Sequence, residues 1–295
     1  MRVAELFSTN THIPSQRVQD SEMDLFGLTH PGKVREENED HFLACTVHPE
    51  VFVHGTSLPN VGQLPLRGER LAVIVLVADG VGGESGGSVA SRIATEAVTR
   101  YVSSTLRCYH AAGSSNEEIF LDALRTAALE AHNAVLAEAS HHPEETRMAT
   151  TLTLGISVWP WLYVVQLGDS RCYYYWNGKL HQVTRDQTVA QDLVDQSIMP
   201  RERLQGSPYR HVLSSAVGAQ DALPEVTRVR IDRYGSVLLF CSDGLTKHVS
   251  DEEIGQSIAS HARAEDICHS LLDLALERGG TDNITIVVGR RRMAG

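Results

Sequence analysis

The sequence predicts an α+β fold in which pairs of helices cover a central, mainly antiparallel sheet sandwich. Short runs rich in branched residues recur along the 295 residues. Three of these runs are joined by links too short for a crossover helix, and helical periodicity comes in pairs between groups of runs rather than after each one. That pattern does not suit a doubly wound parallel sheet.

Residues 1–24 are polar and carry no sustained period, as in Ser8-Thr9-Asn10-Thr11 and Pro14-Ser15-Gln16, so they predict an irregular N-terminal tail. A single domain is expected from Leu25 to residue 291, with a short C-terminal tail at 292–295. Between about His48 and Arg70, Gly55, Pro59, Asn60, Gly62, Pro65 and Gly68 punctuate the chain too often for a regular element. Leu71 to Ala78 is short, apolar and stopped by Asp79-Gly80, which predicts a strand buried on both faces.

Val89, Ile93, Ala97, Tyr101 and Val102 recur at helical spacing, as do Ile119, Ala123, Ala127, Ala131 and Val135, predicting two long helices. Strand-like runs follow at Thr151 to Val158, Leu162 to Leu167 and Arg171 to Trp176. The links Trp159-Pro160-Trp161 and Gly168-Asp169 predict that these three form one meander. Val237 to Cys241 and Ile284 to Val288 predict two further strands. Ser250-Asp-Glu-Glu253 reads as a capping box opening one helix, and Glu265 to Glu277 as a second that closes at Gly279-Gly280.

Composition narrows the function. Asp and Glu number 37 against 26 Lys and Arg, a formal charge of -11, which disfavours nucleic acid and anionic membrane as partners. The run Leu71 to Ala78 is far too short for a membrane span, and the N-terminus lacks a signal layout, so a cytoplasmic protein is expected. Cys45, Cys108, Cys172, Cys241 and Cys268 form no Cys-x-x-Cys pair, and their odd number predicts free, mostly buried thiols.

Acidic residues sit repeatedly where apolar runs begin or end: Glu39-Asp40, Asp79-Gly80, Gly168-Asp169, Ser242-Asp243-Gly244 and Asp282-Asn283. Each alone is ordinary turn chemistry. Several carboxylates gathered at strand ends, however, are what an oxygen-ligand cage for a hard cation requires, because like charges in one cleft repel unless a cation lies among them. The glycine-rich stretch Asp79 to Gly87 lacks both the Gly-Lys-Ser/Thr of a P-loop and a Gly-x-Gly-x-x-Gly fingerprint. No cysteine has arginine six positions later, which excludes a Cys-x5-Arg phosphate loop.

In order and spacing, Arg35-Glu-Glu-Asn-Glu-Asp40, Val77-Ala-Asp-Gly-Val-Gly-Gly83, Ala149-Thr-Thr151, Leu167-Gly-Asp-Ser-Arg171, Leu180 to Asp186, Cys241-Ser-Asp-Gly-Leu245 and Gly279-Gly-Thr-Asp-Asn283 resemble the metal-dependent serine/threonine protein phosphatases of the PPM, or type 2C, family, bacterial in type. The resemblance implies a four-layer αββα sandwich with two Mn²⁺ or Mg²⁺ ions at one end of its two sheets. It implies that Asp79 bridges both ions, that Gly80 offers its carbonyl, that Asp243 and Asp282 hold one ion and that Glu39 or Asp40 serves the other directly or through water. Asp169 matches a third, weaker metal position, Arg35 the residue that grips the substrate phosphate, and Asn283 a supporting position. The implied reaction is hydrolysis of phosphoserine and phosphothreonine in proteins by a water bridging the ions, with no covalent phosphoenzyme, in a monomer that opposes a serine/threonine kinase. The rival expectation is a phosphoprotein-binding pseudophosphatase or regulatory module using the same cleft.

The chain also departs from that pattern. Val81 stands where some members carry a histidine proposed as general acid, Glu84 and Gln187 replace other histidines, and Lys247 lies where some relatives place another acid. His141-His142 precedes proline near a helix end and reads as loop rather than a metal pair. Residues 189–211 fall where the family has a flap beside the active site.

Overall fold

The computed structural model describes residues 18–50, 52–54, 57, 66–82, 86–112, 117–141 and 148–291, the side chains of 106–112 excepted. Residues 1–17 of the expected tail, most of the punctuating residues of the 48–70 loop, Glu84, the Cys108 side chain, His142 and residues 292–295 lie outside them.

Among the described residues the chain begins with a short 3-10 turn and continues through β1 (Met23–His30), β2 (His41–Val47), β3 (Ala72–Ala78), β4 (Gly80–Val81), α1 (Gly86–Ala112) and α2 (Glu117–His141). Then come β5 (Ala149–Thr150), β6 (Leu152–Val158), β7 (Trp161–Leu167), β8 (Arg171–Trp176), β9 (Lys179–Gln182) and α3 (Val189–Asp195). The last part holds β10 (Glu225–Arg230), β11 (Val237–Cys241), α4 (Asp243–Thr246), α5 (Asp251–Ser260), α6 (Ala264–Glu277) and β12 (Ile284–Arg291). Regular structure thus starts slightly before Leu25, because Met23 pairs with Arg291.

Ten strands form two five-stranded sheets, ordered β1-β12-β11-β8-β9 and β10-β7-β6-β3-β2, while β4 and β5 pair separately. Neighbouring strands run antiparallel throughout. Side-chain alternation explains the layers. Ala72, Ile74, Leu76 and Ala78 of β3 face α1 and α2, whereas Val75 and Val77 face Cys172, Tyr174, Phe240 and Val287 of the other sheet. On the far side Ile284, Ile286 and Val288 pack with Ile254, Ile267 and Leu271 of α5 and α6. The result is the four-layer αββα sandwich. Ser250 caps α5 as expected, its side chain accepting from the Glu253 N–H while Glu253 reaches back to the Ser250 N–H.

The expected three-strand meander needs correction. β6 and β7 form a hairpin, but β8 lies in the other sheet, between β11 and β9. Gly168 is the cause. It sits at φ +97, and a Cβ there would come within 2.6 Å of the Thr151 methyl carbon, so a side chain is excluded twice over. Gln187 fixes this turn, its side-chain oxygen accepting from the Gly168 N–H at 2.9 Å and its backbone N–H donating to the Gly168 carbonyl at 2.9 Å. The chain then crosses between sheets through Asp169-Ser170. The described thiols are free, with Cys172, Cys241 and Cys268 buried and Cys45 half-buried. No helix among the described residues is long and apolar enough to cross a membrane.

Candidate metal centre

Strand register brings the acidic residues to one end of the sandwich. His41 pairs with Ala78, so Asp40 and Asp79 lie side by side at the end of one sheet. Cys241 pairs with both Arg171 and Ile286, which places Asp243, Asp169 and Asp282 at the corresponding end of the other.

Asp40 spans the two sheets. Its Oδ2 accepts from the hydroxyls of Ser242 and Thr285, each at 2.7 Å. Its Oδ1 is buried with no hydrogen-bond partner among the described residues. Burial, ahead of the charges of Asp243 and Asp282, pushes its carboxyl up to about 6 despite those two hydroxyls.

Asp79 is held by its backbone. Its N–H donates to Thr151 Oγ1 at 3.0 Å, and its carbonyl accepts from the Thr151 N–H and the Thr150 hydroxyl, both at 2.9 Å. Burial, then the charges of Asp40, Asp243 and Asp169, drive its carboxyl well above the usual range. Gly80 follows in β4, and a Cβ there would meet the Gly87 carbonyl oxygen at 2.4 Å. This close approach brings the first turn of α1 against Gly80 and Glu39, where the partial positive charge of a helix N-terminus favours the carboxylate. Even so, burial raises the pKa of Glu39.

Asp169 is 7% exposed, and burial followed by the charges of Asp243 and Asp186 raises its carboxyl well above the usual range. It is aimed by Ser170, whose hydroxyl lies 2.6 Å from Thr151 Oγ1 and whose carbonyl accepts from Thr153 and Gln166 at 2.9 Å each.

Asp243 and Asp282 share a cation, Lys247. Its Nζ lies 2.8 and 2.7 Å from the two Asp243 oxygens and 2.5 Å from Asp282 Oδ2. Arg35 adds a two-point contact to Asp282, with Nε 2.8 Å from Oδ1 and Nη2 3.2 Å from Oδ2. Burial alone would raise the pKa of Asp282, but Lys247 and Arg35 outweigh it and hold the carboxyl below its ordinary value. Asn283 ties the preceding loop down: its Oδ1 accepts from the Glu39 N–H at 2.8 Å, and its Nδ2 donates to the Pro31 and Glu37 carbonyls at 3.0 and 2.8 Å.

The candidate metal-ligating residues Glu39, Asp40, Asp79, Gly80, Asp169, Asp243 and Asp282 therefore lie at one end of the fold, with Arg35 on Asp282. His211 was not foreseen as a possible ligand. Its Nδ1 lies 3.7 Å from Asp243 Oδ2, and one donor atom each from Asp169, His211 and Asp243 fall within 4.8 Å of one another. Nothing in the aperiodic Tyr209-Arg-His211 stretch signals this. The hydroxyls of Thr151, Ser170, Ser242 and Thr285 were equally invisible as a set. His141 is the last residue of α2.

The donor set fits hard divalent cations. Glu39, Asp40, Asp79, Asp169, Asp243 and Asp282 outnumber the cations Arg35 and Lys247, with Arg171 acting on Asp169. The orphaned Asp40 oxygen and the raised carboxyls of Asp79 and Asp169 mark a cluster short of positive charge.

A family model described as protein phosphatase 2C matches residues 66–273. The chain belongs to that family. It is 34% identical over 217 residues to the serine/threonine protein phosphatase PstP of Mycobacterium tuberculosis, covering 74% of this chain and 40% of that protein. It thus spans two fifths of the length of that relative. The serine/threonine phosphatase stp of Listeria monocytogenes is 28% identical over 263 residues, covering 89% of this chain and 94% of its own. Among solved structures, the catalytic domain of PstP in complex with two manganese ions superposes with a TM-score of 0.70 at 28% identity, covering 92% of this chain and 99% of that one. The αββα layering described above is that of this 2C-type phosphatase family.

Proposed function

We propose that this 2C-type protein hydrolyses phosphoserine and phosphothreonine in proteins with the aid of two Mn²⁺ or Mg²⁺ ions. The observation that carries the reading is the meeting of Asp40, Asp79, Asp243 and Asp282, from the ends of both sheets, beside Arg35. Asp79 with the Gly80 carbonyl, Asp243 and Asp282 would hold the ions, with Glu39 or Asp40 completing the set and Asp169 serving a third, weaker position. When bound, such ions lower the pKa of a shared water and offset charge on the phosphate.

The chain's own residues do the rest. The Arg35 guanidinium is about half exposed and contacts Asp282 through Nε and Nη2, leaving Nη1 free of that pair for a phosphate oxygen. The Asp40 bonds to Ser242 and Thr285, and those of Asn283 to the 31–39 loop, fix the donors before substrate arrives. Val81, 43% exposed, supplies no proton, so the serine or threonine alkoxide must be protonated by another group or by water.

The flap expected at 189–211 contains α3, capped by the Thr188 side chain. Arg185 braces it against Asp192 and Asp195 at 2.5 Å each. It borders a cleft of about 640 Å³ lined by Asp169, Arg201, Arg210, His211 and Asp243. This is where a phosphoprotein's flanking residues would lie. The single catalytic domain at 25–291, a monomeric state, a cytoplasmic site of action and an opposing kinase complete the proposal.

The test is turnover of a phosphothreonine peptide and of p-nitrophenyl phosphate with and without Mn²⁺, by the native protein and by Asp79→Asn and Asp243→Asn. Metal-dependent turnover lost in both folded variants supports the proposal. Phosphopeptide binding without turnover would instead establish the pseudophosphatase reading.

A further inference from the structure

The chain contains only three lysines, Lys33, Lys179 and Lys247, among 26 basic residues. Lys247 occupies an unusual place for one of them. It caps the C-terminus of α4, and its backbone N–H donates to the Asp243 carbonyl at 2.8 Å. The side chain turns back so that Nζ lies 2.5 to 2.8 Å from three oxygens of Asp243 and Asp282. An ammonium has three N–H donors and no acceptor, so these three oxygens can satisfy it completely. The head group is 19% exposed, and its two partners 16% and 18%. This is a half-buried, two-carboxylate clamp rather than a solvated surface pair.

The same carboxylates are candidate cation ligands. A divalent ion needs their oxygens at about 2.0 to 2.6 Å, and it would repel an ammonium resting on the same atoms. The two cannot share the site. Lysine is attached by a flexible four-carbon stem, and the cleft beside it, lined by Thr246, Ser250, Asp251 and Asp169, gives that stem room to swing.

We propose that Lys247 is a tethered counter-cation for Asp243 and Asp282 that a divalent ion must displace, so that ion binding there is an exchange of ammonium for metal. The inference rests on the reading that these carboxylates bind metal. Its consequence is a metal affinity set partly by the lysine. If the ammonium leaves the clamp a tenth of the time, apparent affinity falls about tenfold.

The experiment uses the full chain freed of metal by chelation and dialysis. Mg²⁺ and Mn²⁺ binding is followed by calorimetry for the native protein, Lys247→Met and Lys247→Ala, with Arg185→Gln removing one positive charge from the same cleft without touching either carboxylate. In parallel, the native protein is pulsed with an acetylating ester with and without Mg²⁺, and the three lysines are read by mass spectrometry, Lys33 and Lys179 serving as internal standards. The proposal expects about tenfold tighter binding in both lysine variants and little change in Arg185→Gln. It also expects a severalfold rise in Lys247 acetylation at saturating Mg²⁺ with the other two unchanged. Affinity unchanged or weakened in both lysine variants that retain native circular dichroism, or Lys247 protected equally with and without Mg²⁺, overturns the displacement while leaving metal binding intact. Absence of binding heat in all four proteins would sink the metal reading and this inference together.

Discussion

Replacing Asp40 by Asn tests the electrostatics of the centre in the ion-free protein. Its carboxyl is raised from 3.8 to about 6, chiefly by burial. At ~1.4 kcal/mol per tenfold in proton affinity, ionising it inside the fold costs about 3 kcal/mol. An acid harder to ionise in the folded than in the unfolded chain contributes in full below its unfolded pKa. It loses that contribution as pH rises towards the folded value, so the penalty stands complete at neutral pH. Asn keeps an oxygen for the Ser242 and Thr285 hydroxyls but places an NH₂ where Oδ1 lacks a partner, a burial costing about 1 to 3 kcal/mol. At neutral pH the two effects nearly cancel, and the variant should be equal to the native protein or up to about 2 kcal/mol more stable. The pH dependence distinguishes them: between about pH 4 and 7, urea unfolding of the chelated native protein should lose roughly 3 kcal/mol more than that of the variant. Identical pH profiles would refute the assignment of this penalty to Asp40. With Mn²⁺ present the order should reverse, since the variant gives up a candidate ligand or its orienting partner.

Three further outcomes are expected. Asn283→Ala removes bonds to Glu39, Pro31 and Glu37, so it should cost about 1 to 3 kcal/mol and reduce the rise in Tm that Mn²⁺ gives, measured by paired melts. His211→Ala should lower the number of Mn²⁺ ions retained per chain after dialysis, by metal analysis, without moving the Tm of the chelated protein by more than about 2 °C. Exchanging residues 189–211 for another sequence, with His211 kept in place, should alter preference among phosphoproteins while sparing p-nitrophenyl phosphate turnover, and equal losses on both would count against a role in selection.

Legibility followed burial. β3, β6, β7, β8, β11 and β12 stand out in the sequence because they lie inside the sheets and read as continuous apolar runs. β1, β2, β9 and β10 are the four sheet edges, and their half-buried residues, such as His41 to Val47 or Glu225 to Arg230, carry no such run. The acidic residues were visible because each marks a strand end, but their common destination followed from order and spacing, not from any local signal. The crossing at Gly168 was misread because Gly-Asp is also ordinary hairpin chemistry. Only Thr151 and Gln187, 17 residues before it and 19 after it in sequence but in contact with it in the fold, decide the turn. The clasp of Lys247 on Asp282 joins positions 35 apart, beyond the reach of any helix or strand period.

The Asp40 contacts to Ser242 and Thr285 carry a mechanical consequence. They join a residue at the mouth of one sheet to two in the other, beside carboxylates drawn from both. Without divalent charge, mutual repulsion there works to pry the two halves of the sandwich apart; divalent ions held by those carboxylates would act as rivets along the seam, tying the two sheets into one cooperative body.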